Sequence, residues 1–198
     1  NSASHLGNLD LSGNHQGVYN ALVEVTPTNA AAATAGNFRI DPGDPRNSFL
    51  FKKVHRGLDA NLSLTAAENP STHDTLTALT QVEREMIRQW ILFGAKDTGT
   101  WVSEATITGF YVGQGGQPRV QPLAPPAPGQ GVQLHWGPVF MHPGAEWEYN
   151  NKHYVRNTGQ IDVTHMNTVM NDESHHYALF KYWPGHDTLP MFSKGMHK

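Results

Sequence analysis

Residues 171–182 read NDESHHYALFKY, which sets His175 and His176 side by side between a polar turn and an alternating apolar run. Imidazole is the commonest protein ligand for transition metals, so this pair is the strongest chemical signal in the chain. Consecutive side chains of a regular strand point to opposite faces. Both rings therefore reach one metal only where the backbone at 175–176 is irregular, as at a strand start or a bulge. The NDES turn supplies such a start. The competing reading is two polar residues at a strand end, hydrogen-bonded to carbonyls or to Asp172 and Glu173. Those two acids could also serve acid–base chemistry, or simply be a solvated turn.

The rest of the chain bounds what this pair can belong to. Its 198 residues suffice for one core or two small ones. Acids number 17 and bases 14, a net charge of −3, and no basic run exists, which argues against nucleic acid as a partner. No apolar run is long enough to span a membrane. Cysteine is absent while histidine occurs 12 times, which removes disulfides, thiolate metal sites and thioether attachment of haem within these residues. There is no G-x-S-x-G or H-E-x-x-H, so a hydrolase has little support. The first residue is Asn1, with no signal-like stretch, so the chain reads as a processed product or a segment of a longer polypeptide.

Two kinds of element must position these groups. Up to about residue 97 the pattern is helical. GVYNALVEV (17–25) could form a short helix, and Asp44-Pro45 offers an N-cap and N1 ahead of Phe49, Leu50 and Phe51, with Gly57 as the stop. TQVEREMIRQWILFGA (80–95) is the clearest case. Thr80 and Glu83 form a capping box, Val82, Met86, Ile87, Trp90, Ile91 and Phe93 make an apolar stripe, and Gly94 ends it. Beyond residue 104 the period becomes two, and 105–112, 132–140, 146–156, 161–170 and 175–183 read as strands. The Pro/Gly-rich stretch 113–131 between them is a long surface loop or a polyproline-like crossover. The fold class expected is α+β multidomain, with a helical module at 1–97 and an antiparallel, partial β-sandwich at 98–198.

LGNLDLSG (6–13), RIDPGDPRNSFLFKKV (39–54) and LTQVEREMIRQWILFGA (79–95) occur in an order that resembles a c-type cytochrome module of large bacterial extracytoplasmic proteins. The resemblance implies a CxxCH haem motif just upstream of Asn1 and a distal methionine loop before the last helix. That loop here reads STHDTLTA (71–78), with His73 near the methionine position, so His73 is a candidate axial ligand or a loop residue of a module without haem. Haem c is implied only if an upstream motif belongs to the same protein.

GVQLHWGPVFMHPGAEWEYNNKHYVRN (131–157) followed by IDVTHMNTVMNDESHHYALFKY (161–182) is similar to the first β-sandwich domain of copper type II, ascorbate-dependent monooxygenases. The resemblance implies that His175 and His176 are two of three imidazoles on one copper. The third comes from further downstream in that family, and its second copper lies in another sandwich. Local substitutes are His165, His186 and His197. Two functional expectations follow. One is a periplasmic, cell-surface or secreted redox and copper-binding protein with an electron-transfer partner. The other is a non-catalytic module that has lost both cofactors and self-associates through an exposed sheet edge.

Overall fold

A computed structural model describes residues 9–59, 62–69, 79–100, 103–112, 123–141, 150–151, 155, 159–170, 174, 176–181 and 192–193. Five helices are described: α1 (His15–Leu22), α2 (Ala30–Thr34), α3 (Phe49–Val54), α4 (Gln81–Leu92) and α5 (Glu104–Tyr111). Each start follows from a local rule. Asn14 caps α1 by accepting from Gly17 N–H at 2.9 Å, and Asn29 caps α2 through Ala32 N–H at 2.9 Å. The capping box of α4 is complete, with Thr80 Oγ1 accepting from Glu83 N–H at 3.2 Å and Glu83 Oε2 accepting from Thr80 N–H at 2.7 Å. Its far end is a Schellman turn. Ala95 N–H reaches the Trp90 carbonyl and Gly94 N–H that of Ile91, both at 2.9 Å, with Gly94 at φ +88°, where glycine carries no Cβ penalty.

Asp44 caps, but one turn earlier than the helix. Its Oδ1 accepts from Arg46 N–H at 2.9 Å and Asn47 N–H at 3.0 Å, closing the Pro45–Asn47 turn. α3 starts only at Phe49, and its N-cap Ser48 makes no side-chain cap bond. The Ser48 hydroxyl instead accepts from Asp41 N–H and donates to the Asp44 carbonyl, each at 2.8 Å.

The core lies between α3 and α4. Ile40, Phe51, Ile91 and Ala95 are fully buried, with Leu22, Val23, Leu50, Val54, Ile87 and Trp90 packed around them. Residues 38–40 are threaded between two neighbours. Ile40 N–H donates to the Leu22 carbonyl at 3.0 Å and Phe49 N–H to that of Phe38 at 2.8 Å, giving parallel bridges Val23–Ile40 and Phe38–Ser48. Gly43 N–H donates to the Ile91 carbonyl at 2.7 Å, fastening the DPGDP turn to the end of α4.

The antiparallel β-sandwich expected for 98–198 is not the fold. Among the described residues, sheet pairing amounts to two residues on each side, Asn150–Asn151 against Phe192–Ser193, besides the two bridges. The segment 105–112, read as the first strand, is helix α5. Ser103 Oγ accepts from Thr106 N–H at 3.3 Å, Glu104 sits in the first turn, and Ile107, Phe110 and Tyr111 share one helical face against α4. That i, i+3, i+4 spacing outweighs the β-branched alternation of the same residues. The described stretches 132–136, 161–170 and 176–181 are exposed and carry no strand pairing, with Val163 and Phe180 each 77% accessible. An alternating pattern makes a strand only where a neighbour and a covering layer exist, and neither is found for them among the described residues. With the sandwich goes the sheet edge through which self-association was expected. The strand expected at 146–156 lies mostly outside the described residues, as does the 113–122 part of the loop expected at 113–131, whose described part, 123–131, carries no helix or strand. Among the described residues, no helix is long and apolar enough to cross a membrane.

Candidate functional site

The predicted metal ligands are only partly placed. His165 is exposed, its Nε2 2.9 Å from Asn167 Oδ1, and His176 is exposed on the irregular stretch 176–181. His175, His186 and His197 lie outside the described residues, as does His73. Among the described residues, no three His, Asp or Glu side chains come together as a metal site. The donor chemistry of His165 and His176 suits copper, but these two alone do not complete a coordination shell.

The buried histidine is one the sequence reading passed over. His55 ends α3, 8% exposed, with its ring 5.9 Å from that of Phe51. Its Nδ1 accepts from Gly57 N–H at 3.2 Å, which in the neutral ring leaves the proton on Nε2. Burial lowers its pKa, and the nearby Arg84 adds to this against the opposing charge of Asp59. A ring held in this tautomer offers no lone pair at Nε2, so His55 is a packed core group in this arrangement and no metal ligand.

The most fully built polar arrangement is on α4. Fully or nearly fully buried on this helix are Glu85, Arg88 and Gln89, beside Ile91 and Leu92. At roughly 100° per residue, positions 85, 88, 89 and 92 form one face, and 87 and 91 form another about 130° away. The second face packs on Ile40 and Phe51. The first is a polar clamp. Arg88 Nε and Nη2 donate to Glu85 Oε1 at 3.0 and 2.7 Å, Gln89 Nε2 donates to the same oxygen, and the Tyr111 hydroxyl donates to Oε2 at 2.8 Å. Burial, then the Glu85 charge, pushes the Tyr111 hydroxyl well above its ordinary pKa, so it remains a donor.

The clamp grips the backbone of residues 137–140. Arg88 Nη2 and Gln89 Nε2 both donate to the Pro138 carbonyl, at 2.6 and 3.1 Å. Gln89 Oε1 accepts from Phe140 N–H at 3.1 Å, and the Phe140 ring meets Phe110 of α5 edge-on, with centroids 5.2 Å apart. The R-Q pair of the RQWI motif thus wires the helical body to a segment some 50 residues away. Sequence reasoning missed this because it ranked α4 by its apolar stripe. Glu85, Arg88 and Gln89 at i, i+3, i+4 were a second stripe in plain view, of the kind that satisfies buried polar partners.

A second polar network holds residues 62–69 to the core. Lys52 Nζ donates to Asn37 Oδ1 at 3.2 Å and pairs with Glu68, whose Oε2 accepts from Thr65 N–H and Oγ1, both at 2.9 Å. Asn47 bridges Asn37 and Asp41, with both contacts at 2.7 Å. These contacts satisfy one another. Comparison with family models, curated proteins and solved structures returned no match.

Proposed function

We propose that the chain is a copper-binding module of an extracytoplasmic protein related to electron transfer, with His175 and His176 as ligands and His165 or His186 as the third. The copper part rests on the adjacent histidines of the SHH stretch, and the electron-transfer part is supported by the motifs resembling a cytochrome module, which are far apart in sequence and share one core. Ile40 from RIDPGDP, Phe51 from the FLFKKV helix, and Ile91 and Ala95 from RQWILFGA pack together, and Gly43 is hydrogen-bonded to Ile91. Bound copper would supply one-electron chemistry, and the imidazoles would hold it through both oxidation states. The helical half would be the partner-facing body, and haem c would enter only with a CxxCH motif of the same polypeptide, His73 then being the axial candidate. Equilibrium dialysis against copper, followed by elemental analysis, tests the reading. Stoichiometric copper retained by the chain and lost in His175→Ala/His176→Ala supports it, and copper at background in the unaltered chain overturns it.

A second reading has its own observation. Ile161, Val163, Met166, Tyr177, Leu179 and Phe180 are all exposed, and large apolar side chains left to water in one stretch of sequence are candidates for a contact surface. A non-catalytic module that assembles through 161–180 accounts for this, and light scattering across a concentration series separates it from the copper reading. A mass that rises with concentration, independent of copper, favours assembly. A constant monomer mass rejects it.

A further inference from the structure

We infer that the α4–α5 face is a receptor for an extended peptide in which proline is followed two residues later by phenylalanine, filled in this chain by residues 137–140 as a releasable strap. In an extended chain the carbonyl of one residue and the N–H two residues on point to the same side. Gln89 meets that pair with its carboxamide, donating to the Pro138 carbonyl at 3.1 Å and accepting from Phe140 N–H at 3.1 Å. It stands where a neighbouring strand would. Arg88 adds a charged donor to the same carbonyl at 2.6 Å, held in aim by its two bonds to the buried Glu85 carboxylate. Phe110 supplies the aromatic wall for Phe140. Proline suits the first of these positions because only its carbonyl is read and it has no N–H to leave unmatched.

The same geometry makes the strap separable. Residues 137–140 are half-buried, whereas 131–136 and Met141 on either side are exposed. The core of Ile40, Phe51, Ile91 and Ala95 packs on the other face of α4, so the helical body keeps its apolar contacts when the strap leaves. This inference is independent of copper. Its consequence is that the 137–140 segment of a second copy, which carries the same sequence, competes for the same face.

The test is amide hydrogen exchange on the full chain and on two variants, Gln89→Ala and Phe140→Ala. The second alters only the strap, so it guards against a variant that fails to fold. In each, exchange at the residue-140 amide is expected to rise about tenfold, the equivalent of one ordinary hydrogen bond, while the α4 amides of Arg88–Leu92 hold their protection. Adding the capped peptide Gly-Pro-Val-Phe to Phe140→Ala is expected to shift the Gln89 side-chain amide resonances. Unchanged exchange at residue 140 in both variants, loss of α4 protection in Phe140→Ala, or no shift at saturating peptide would each overturn the inference.

Discussion

Replacing Asp44 by Asn is expected to stabilise the protein at neutral pH and to do nothing of the kind in acid. Asp44 is 8% exposed in the DPGDP turn, and its carboxyl is pushed from 3.8 up to about 6. Burial is the main cause and the Asp41 charge adds to it, while the N–H groups of Asn47 and Arg46 oppose. A raised carboxyl pKa means the fold prefers the protonated form. Stability from this group is therefore full below the unfolded value near 3.8 and is lost as pH rises through about 6. A shift of that size corresponds to roughly 3 kcal/mol at neutral pH, as an upper figure. Asn keeps an oxygen to accept from Arg46 and Asn47 N–H and carries no charge. Urea unfolding of both proteins at pH 4 and pH 7.5 measures the difference, and other titrating groups cancel between them. Asp44→Asn should gain ~1–3 kcal/mol over the parent at pH 7.5 and no more than about 0.5 kcal/mol at pH 4. A variant less stable than the parent at pH 7.5, or a gain the same at both pH values, refutes the argument. Asp44→Ala, which loses both hydrogen bonds, should be destabilised in acid as well.

Three further outcomes follow from the same contacts. Glu85→Gln removes the charge that pairs with the buried Arg88 guanidinium and should cost about 3–5 kcal/mol in a chemical melt, far more than an exposed ion pair would. Gly94→Ala forces a side chain at φ +88° into the Schellman turn and should cost about 1 kcal/mol, read as a lower thermal midpoint with α4 otherwise intact. The His55 ring should titrate below the ordinary histidine range in a proton NMR series. Because its folded pKa is depressed, its contribution to stability is lost as pH falls below about 6.5, opposite in sign to Asp44.

Helix ends were legible and helix partners were not. Thr80-x-x-Glu83 and Gly94 mark α4 because caps act within a few residues, and the structure uses both. Asp44 was read as a cap and does cap, but Ser48, tied to Asp41 and Asp44, starts the helix four residues later. α5 replaces the strand expected at 105–112 because the strand propensity of Thr106, Ile107 and Thr108 is a weak preference that packing on α4 overrides. The clamp has no local signature because its partners, Arg88 and Gln89 on one side and Pro138 and Phe140 on the other, are about 50 residues apart. No local pattern announces such a contact. Likewise the alternation in 161–170 and 176–181 resembles that of a sandwich, yet the described residues give it no partner strand.

The proposal that His175 and His176 hold copper is open to a single spectroscopic test. Electron paramagnetic resonance of the copper-loaded chain addresses it most directly, because imidazole nitrogens on Cu(II) split the signal. Nitrogen splitting is expected in the unaltered chain, with its loss in His175→Ala/His176→Ala. The same spectrum in both proteins, or only unbound copper in the unaltered chain, would contradict it.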